Sequence, residues 1–383
     1  MIQLFVKTEA QEHWLKALQE KAGAFENKPA EIDELSAFPH KNIQDLIEIG
    51  YTSTTLPKTY GGAGFSVYDM ILLQETLARF DGATALSTGW NLGVVGEIFE
   101  KKQWSNEILN MFASEILNGA LVNRAVSEAQ TGSPSRGGRP STTAVKQGNT
   151  WVITGRKNFT TMAPALTYFL VSAWIEEMQG IGFFLVHKDA MGLSIDETWD
   201  VMSMRGTGSH DLVLQNVTVG ESMLVERPGA REKAPLNGWI LHIPAVYLGI
   251  AQAARDYTIE FANEHAPNSV SGPISQLANV QLLIGEMDLE LIKARHLLYS
   301  VAEMYDDHSR RGYLTNELSV AKHAVTNAAI TIVDKAMRVV GAKSLQRSNP
   351  LQRYYRDVRA GLHNPPMDDV TIKQLALTAI KNE

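Results

Sequence analysis

Residues 211–219 read Asp-Leu-Val-Leu-Gln-Asn-Val-Thr-Val, and apolar side chains alternate with polar ones along this stretch. Because successive side chains of a strand point to opposite faces, the alternation predicts a strand with one buried face. A hairpin is predicted upstream, where Gln147-Gly148-Asn149 forms a turn before Trp151–Thr154. Two more segments are rich in β-branched and aromatic side chains: residues 167–175 and 181–186. Short strands separated by glycine-containing turns predict a small β-barrel or sandwich.

The sequence on both sides of this β zone has helical periodicity. Apolar residues cluster at near-helical spacing in residues 43–49 and 70–80, and they recur every three or four residues in 280–298 and 318–336. Such stripes mark helices that bury one face, and the two long C-terminal stripes are typical of a bundle. The order of elements predicts an α+β protein with three domains: an N-terminal helical domain (1–118), a middle β domain (119–226) and a C-terminal helical bundle (227–383).

Composition narrows the class of protein. The 383 residues are 44% hydrophobic and 20% charged, as in a globular chain with a buried core. The net charge of -7 comes with no basic stripe, so no nucleic-acid partner is expected. Without cysteine there is no disulfide, thiolate metal site or cysteine nucleophile. The N-terminus lacks the apolar core of a signal peptide, and no apolar run reaches membrane-spanning length. We therefore expect a cytoplasmic protein without a membrane partner or a metal.

Five local motifs follow one another along the chain, each of them weak when taken alone. They are Pro57–Gly62 (Pro-Lys-Thr-Tyr-Gly-Gly), Ala125–Ser133, Lys157–Thr161 (Lys-Asn-Phe-Thr-Thr), Met204–Ser209 (Met-Arg-Gly-Thr-Gly-Ser) and Arg353–Arg359. In this order they resemble the motifs of the acyl-CoA dehydrogenase superfamily, and the resemblance covers nearly the whole chain. It implies an N-terminal helical domain, a middle β-barrel domain and a C-terminal four-helix bundle.

The resemblance implies a flavin, normally FAD, that lies between the β domain and the bundle. The residues implied at the flavin are Ser127, Ser133, Phe159, Thr160 and Thr161, the last three along the isoalloxazine ring. Family members are usually tetramers, so we expect a homotetramer or homodimer in which the region near Gly341 contacts the adenine half of a neighbouring subunit's FAD. Taken singly, these residues have simpler interpretations, because serines are common in turns and a strand phenylalanine is usually a core residue.

The catalytic base of the family is not at its expected place. In the family's dehydrogenation, a glutamate removes the α-proton of an acyl-CoA and a hydride passes to flavin N5. The usual position of this glutamate falls near Pro365 and an alternative falls near Trp239, and neither is a carboxylate. Asp368 and Asp369 become candidate bases if the loop is shifted by three or four residues. The competing interpretation is that they cap a terminal helix over residues 370–380, which we favour for at least one of them.

A histidine in this loop, His363, resembles a branch of the superfamily, the flavin-dependent monooxygenases similar to dibenzothiophene monooxygenase. Those enzymes use reduced FMN, bind oxygen at the flavin C4a position and need no α-proton base. They do need a hydrogen-bond donor beside that oxygen, for which His363 and Asn123 are candidates. The family's Arg-x-x-Phe-Gly, which touches the flavin pyrophosphate, is replaced by Pro-Asn-Ser-Val-Ser at residues 267–271. Loss of a bidentate arginine contact weakens FAD binding, so FMN is the alternative cofactor.

Three functional hypotheses follow from the sequence. The first, which we favour because the resemblance is to the acyl-CoA dehydrogenase superfamily as a whole, is an acyl-CoA dehydrogenase with a displaced base at Asp368 or Asp369. The second is a flavin monooxygenase that uses His363 and Asn123. The third is a flavin-binding protein without turnover. The substrate is a small molecule, an acyl-CoA under the first hypothesis, and the electron acceptor has no signature in the sequence.

Overall fold

The computed structural model describes residues 2–26, 28–131, 138–229 and 237–381. Helices come first, a sheet follows and helices return, as the periodicity predicted. The N-terminal helices are α1 (Glu9–Gly23), α2 (Pro29–Leu35), α3 (His40–Glu48), α4 (Val67–Ala78), α5 (Gly82–Lys101) and α6 (Asn106–Leu117). The strands are β1 (Val122–Ala125), β2 (Thr143–Gln147), β3 (Thr150–Lys157), β4 (Tyr168–Ile175), β5 (Gly180–His187), β6 (Leu193–Asp196), β7 (Asp211–Gly220) and β8 (Leu224–Glu226). The C-terminal helices are α7 (His242–Glu264), α8 (Ala278–Asp306), α9 (His308–Arg311), α10 (Glu317–Val340), α11 (Pro350–Asp357) and α12 (Asp368–Lys381).

Capping residues set the starts of several helices. At the start of α1, the Thr8 side chain accepts the backbone N–H of Gln11, and the Gln11 side chain accepts the backbone N–H of Thr8. Ser66 and Asp69 form the same capping box at α4. At α5, the Asp81 carboxylate accepts two backbone N–H groups of the first turn. Each such cap pairs donors that a helix start leaves free and is worth about 1 kcal/mol, so local sequence fixes these boundaries.

The strands of the described residues join in one eight-stranded sheet. Its order is β6-β7-β3-β2-β4-β5-β8, with β1 beside β4. The predicted hairpin is confirmed, because Gln147 of β2 pairs with Thr150 of β3 across a two-residue turn in which Gly148 has a left-handed φ of 58°. Only one register pair, Thr143 with Trp174, connects β2 to β4. The sheet therefore consists of two halves that meet at this pair.

The two halves of the sheet surround one apolar core, in agreement with the predicted barrel or sandwich. Trp151 in β3 contacts Phe184 in β5 edge to face, with ring centroids 5.5 Å apart. The outer face of β4 and β5 is buried as well, because Leu170 and Leu185 pack in one cluster with α5 and α6. β4 is therefore covered on both sides, which explains why its sequence is almost continuously apolar.

A single hydrophobic core joins the N-terminal and C-terminal helices. α7, α8 and α10 pack against one another, α11 packs against α7 and α10, and α4 and α5 pack against α7. The predicted stripe positions on α8, such as Met287, Leu291 and Leu298, are fully buried. The C-terminal bundle is confirmed, and its core extends into the N-terminal helices. Among the described helices, none combines the length and the apolar character of a membrane span.

A charged junction ties α2, the β domain and α11 together. Arg356 at the end of α11 forms a bidentate contact with Asp33 of α2 and donates to the carbonyl oxygen of Met202. The next residue, Asp357, accepts the backbone N–H of Met204 at 2.7 Å. Burial raises the pKa of the Asp357 carboxyl to about 7. The turn between β6 and β7 is therefore held between an N-terminal and a C-terminal helix.

A glycine on α7 tests the contact between the two helical zones. Gly249 faces α4, and a Cβ at this position would lie 2.3 Å from the carbonyl oxygen of Glu75. Because this neighbour is backbone, we expect Gly249→Ala to lower the free energy of unfolding by about 1–3 kcal/mol, as overpacking does. The matched control is Gly285→Ala on α8, where a Cβ meets nothing within 4 Å. That change should raise the free energy of unfolding by about 0.5–1 kcal/mol in urea titrations. Equal effects of the two changes would contradict the close helix contact.

Candidate functional site

Motif segments that are distant in sequence lie side by side at the ends of β1 and β3. The backbone N–H of Asn158 donates to the carbonyl oxygen of Ser127 at 2.9 Å. The backbone N–H of Thr160 donates to the carbonyl oxygen of His210 at 3.1 Å, which adds the start of β7. The structure thus brings Ser127 to the segment predicted to line the ring. Ser133 lies outside the described residues, so its flavin contact stays a prediction.

A buried ion pair holds these segments. Lys157 Nζ lies 2.6 Å from Glu128 Oε1 and 3.1 Å from the hydroxyl of Ser172. Glu128 also accepts the Thr142 hydroxyl and the backbone N–H groups of Thr142 and Ser141. Burial alone would raise the pKa of Glu128, but the hydrogen bonds from Lys157 and Thr142 outweigh it and hold this pKa at about 2. The sequence analysis did not predict this ion pair. The signal was that Lys157 and Glu128 are charged residues within motifs of the largely apolar β zone.

Phe159 does not belong to the core. Its side chain is 61% exposed, and its φ of 53° lies in the left-handed region, which is costly for a bulky residue. The ring meets Trp199 edge to face with centroids 6.1 Å apart, and Trp199 Nε1 donates to the carbonyl oxygen of Met204 at 3.2 Å. The interpretation of Phe159 as an ordinary core residue is therefore wrong. An exposed aromatic residue on a strained, fixed loop is suited to packing against a planar ring.

Polar atoms next to Phe159 lack partners. Thr160 Oγ1 and Asn158 Oδ1 are buried, and within the described chain neither has a hydrogen-bond partner. Asn123 donates to the carbonyl oxygen of Thr161 at 3.0 Å and accepts the Arg124 N–H at 2.7 Å, so this amide fixes the loop. Unpaired buried polar atoms are rare and mark places where a ligand or water completes the hydrogen bonding. Together with Phe159, these atoms fit a flavin ring, which has a flat face and a polar edge.

The loop after α11 presents an imidazole and an amide where the family has its usual base. His363 is exposed, and its backbone N–H donates to the carbonyl oxygen of Ala360 at 3.0 Å. Asn364 is half-buried, and its side-chain oxygen accepts a hydrogen bond from the hydroxyl of Tyr247, a fully buried residue of α7. The next residue is Pro365, which has no acidic group. The place where the sequence predicts the family's usual base therefore holds no carboxylate.

The two candidate aspartates belong to α12. The helix begins at Asp368, two residues earlier than predicted, so Asp368 and Asp369 lie in its first turn rather than before it. There a negative charge stabilises the helix through its dipole, which corrects the expected role as a cap. Asp368 accepts the Asn327 amide at 2.9 Å and lies 3.7 Å from Nζ of the fully buried Lys322. Burial lowers the pKa of Lys322, and the charge of Asp368 opposes this shift. The carboxylate of Asp368 is therefore engaged by α10.

The alternative base position is filled by an aromatic side chain. Trp239 packs against α5 at Gly96, where a Cβ would lie 2.5 Å from the indole. Its Nε1 donates to Glu100 at 2.7 Å, and Glu100 also accepts the Tyr305 hydroxyl at 2.8 Å. His242, the first residue of α7, is buried, its Nδ1 has no hydrogen-bond partner in the described part of the chain, and burial lowers its pKa to about 3. The start of α7 therefore contributes no carboxylate of its own.

Two further predicted contacts lie at the ends of bundle helices. Gly341 follows α10 with a φ of 68°, and a Cβ there would meet nothing within 4 Å, so this turn is open. The contact of this region with a neighbouring subunit's FAD stays a prediction. Residues 267–271 lie in the loop after α7, which is closed by a hydrogen bond from the N–H of Ile274 to the carbonyl oxygen of His265 at 2.9 Å. No arginine from this loop is available to a pyrophosphate.

Comparison with known protein families assigns most of the chain. Residues 7–102 match the family model described as acyl-CoA dehydrogenase, N-terminal domain. Residues 123–217 match acyl-CoA dehydrogenase, middle domain. Residues 236–362 match acyl-CoA dehydrogenase, C-terminal domain. The three matches follow the order of helices, sheet and helices.

The names of similar proteins describe two kinds of reaction, acyl-CoA dehydrogenation and nitrososynthesis. "Putative acyl-CoA dehydrogenase YdbM" of Bacillus subtilis (strain 168) is 57% identical over 99% of this chain and 100% of its own length. L-evernosamine nitrososynthase of Micromonospora sp. is 28% identical over 87% of this chain and 81% of its own length. The solved structure of KijD3 in complex with FMN and a dTDP-linked amino-keto sugar is 26% identical, has a TM-score of 0.86 and is matched over 99% of this chain and 95% of its own.

The ion pair between Lys157 and Glu128 can be tested by its effect on stability. Lys157→Met leaves the Glu128 carboxylate buried without its counter-ion, so we expect the free energy of unfolding at pH 7 to fall by about 3–5 kcal/mol. The control is Lys146→Met, which removes an exposed contact with Glu221 and should cost less than about 1 kcal/mol. Urea unfolding of both variants measures the difference.

The same ion pair predicts a pH dependence. The folded-state pKa of Glu128 is about 2, below its ordinary value of 4.5, so its stabilisation is present above pH 4.5 and is lost as the pH falls towards 2. We expect this loss in the wild type between pH 4.5 and 2 and a smaller loss in Lys157→Met. An unchanged pH profile in the variant would show that Lys157 does not hold the pKa down.

Proposed function

The chain belongs to the acyl-CoA dehydrogenase family of flavin-dependent oxidoreductases, and within this family we propose that it works as a reduced-flavin-dependent monooxygenase. Acyl-CoA dehydrogenase relatives support flavin chemistry in general, and the geometry of this site supports the oxygenase branch best. The observation that carries the proposal is the lack of a free carboxylate at both positions where a family base is expected. Pro365 occupies the first, and the packed indole of Trp239 occupies the second.

Dehydrogenation of a thioester needs a base that reaches the α-proton. A general base must come within hydrogen-bond reach of the proton that it removes. Asp368, a half-buried carboxylate three residues after Pro365, is directed to Asn327 and Lys322 of α10. Moving it over a ring would leave the buried ammonium of Lys322 without a counter-ion, which is costly. Oxygenation avoids this requirement because it removes no α-proton.

The residues of this chain offer what an oxygenase needs. Phe159 and Trp199 provide an aromatic surface, while Thr160 and Asn158 have buried polar atoms that find no partner among the described residues and can meet the edge of a ring. When bound, a reduced flavin supplies two electrons to dioxygen. One oxygen atom then enters the substrate, and the other leaves as water. These electrons require a separate flavin reductase as partner.

The loop at His363 would provide hydrogen-bond donors beside the reacting oxygen. The Tyr247 hydroxyl donates a hydrogen bond to the side-chain oxygen of Asn364. The NH2 group of this amide is the part that can donate to a ligand. His363 is exposed and can approach a substrate from the solvent side. Asn123 acts indirectly under this proposal, because its amide is committed to the carbonyl of Thr161 and keeps that segment in place. The similarity to KijD3, whose solved complex contains FMN, and to a nitrososynthase supports this branch.

A second candidate is dehydrogenation of an acyl-CoA, with Asp368 or Asp369 as the base and hydride transfer to the flavin. It is favoured by the 57% identical relative whose name describes an acyl-CoA dehydrogenase. Asp369 is exposed in the first turn of α12, and its use as the base would leave the contact between Asp368 and Lys322 in place. A flavin-binding protein without turnover is the remaining alternative.

We further propose that the protein forms a homotetramer or homodimer. On α8, Leu282, Leu289 and Ile292 are 64%, 57% and 47% exposed. They recur at helical spacing along one side of the helix, which is typical of a surface that another subunit covers.

The choice between the two reactions can be made with the flavin-loaded protein. We expect no bleaching of the oxidised flavin band in an anaerobic titration with short-, medium- and long-chain acyl-CoAs, because neither expected base position holds a carboxylate. Supplied with reduced flavin and oxygen, the wild type should delay reoxidation of the flavin, and His363→Ala and Asn364→Ala should shorten this delay and release the hydrogen peroxide sooner. Absorbance and peroxide assays measure both effects.

Bleaching by an acyl-CoA would overturn the oxygenase proposal in favour of the dehydrogenase. Asp368→Asn and Asp369→Asn would then identify the base, with Asp334→Asn as the control because Asp334 is a surface carboxylate paired with Arg338. Flavin binding without bleaching and without any delay of reoxidation would indicate a binding protein.

The preferred flavin can be measured independently of turnover. The loop at residues 267–271 offers no arginine to a pyrophosphate. We therefore expect the protein to bind FMN at least as tightly as FAD, by quenching of flavin fluorescence. Ser269→Arg should improve the affinity for FAD more than that for FMN, because a bidentate contact to a phosphate becomes available. Tighter binding of FAD by the wild type would contradict this expectation.

A further inference from the structure

Three hydroxyl groups form a continuous hydrogen-bonded chain that ends at Thr161, in the segment 159–161 that is predicted to line the flavin ring. Thr207 Oγ1 and Ser209 Oγ are 2.8 Å apart, and Ser209 Oγ is 3.0 Å from Thr161 Oγ1. Thr207 and Ser209 are buried, whereas Thr161 is half-buried and is the end nearest to the surface. At the inner end, Thr207 Oγ1 lies 3.0 Å from the carbonyl oxygen of Met204. The chain therefore runs from a buried backbone acceptor to the predicted flavin edge.

This chain can be oriented in two ways, because each hydroxyl has one hydrogen and can also accept. In the inward orientation, Thr161 donates to Ser209, Ser209 donates to Thr207, and Thr207 donates to Met204. The outer side of Thr161 then presents only lone pairs. In the outward orientation, Thr207 donates to Ser209, Ser209 donates to Thr161, and Thr161 donates to whatever lies outside.

The inner end of the chain tolerates both orientations. The carbonyl oxygen of Met204 also accepts the indole N–H of Trp199 at 3.2 Å and the backbone N–H of Thr207 at 3.1 Å. It is therefore not left unpaired when the Thr207 hydroxyl turns towards Ser209. Since no buried donor or acceptor is lost, the two orientations are close in free energy.

We propose that Thr207 and Ser209 are positioning residues that let the Thr161 hydroxyl act as a donor to the oxidised flavin and as an acceptor from the reduced flavin. The inference rests on the proposed function, because it requires a flavin at Thr161. Flavin N5 accepts a hydrogen bond when the ring is oxidised and carries a hydrogen when the ring is reduced. The outward orientation matches the first state and the inward orientation matches the second. Three hydroxyl rotations connect them, and no proton leaves the protein.

Removal of the middle hydroxyl should affect the two flavin states unequally. In Ser209→Ala, Thr161 still donates outward to an oxidised flavin and loses only an incoming hydrogen bond. With a reduced flavin, the Thr161 hydrogen points to a buried site that has no acceptor, which costs more. We expect the affinity for reduced flavin to fall about tenfold relative to that for oxidised flavin. For a two-electron couple, this factor lowers the potential of the bound flavin by about 30 mV.

The test measures the reduction potential of the bound flavin against redox dyes, together with its affinities for oxidised and reduced FMN. Ser209→Ala should show the full shift, Thr207→Val a smaller shift of the same sign, and Ser209→Thr almost none because it restores the hydroxyl. Thr154→Val is the control, since Thr154 is an exposed hydroxyl of the same sheet that bonds to Asn216. Thermal unfolding shows whether each variant is folded.

A lower potential in Ser209→Ala and Thr207→Val, with Thr154→Val and Ser209→Thr unchanged, would support the inference. An unchanged potential, or an equal loss of affinity for both flavin states, would leave the hydroxyls with a structural role only and overturn the inference while the proposed function stands. If the wild type binds neither FMN nor FAD, the proposed function fails and the inference fails with it.

Discussion

The ion pair between Lys157 and Glu128 is the interaction on which the candidate site depends. Removing two charges from water is unfavourable unless each finds a close partner and further hydrogen bonds. Here the carboxylate meets the ammonium at 2.6 Å and also accepts the Thr142 hydroxyl and two backbone N–H groups. The segment after β1 is thereby fixed against the end of β3. The left-handed backbone of Phe159, two residues later, is a strain that persists only when its surroundings are held in this way.

A second constraint brings the C-terminal loop to the same place. Asp357 accepts the backbone N–H of Met204, and Arg356 binds Asp33 of α2, so the turn before β7 is held by helices from both ends of the chain. That turn includes Thr207 and continues to Ser209, which contact Thr161. The candidate site, the start of the His363 loop and the hydroxyl chain are thus connected through one junction between the sheet and the helices.

The fold of the family is retained, while neither position where the sequence predicts the family's base holds a carboxylate. Pro365 in the C-terminal loop has no acidic group, and Trp239 at the start of α7 fills the space beside Gly96. Because a scaffold of this kind binds and orients a cofactor independently of any one base, the same fold can support a different reaction once the base is lost. The function of this chain is therefore decided by the site and not by the architecture.

The sequence by itself determined the order of helices and strands, the hairpin at Gly148, the order of the motifs and the absence of an acid at Pro365 and Trp239. These properties depend on local periodicity, turn chemistry and residue identity, which are readable without long-range contacts. Only the tertiary structure decided that Phe159 is exposed, that Asp368 faces Lys322 and that Lys157 meets Glu128. Each of these depends on which distant segments pack together, and burial and partner choice are set by that packing rather than by local pattern.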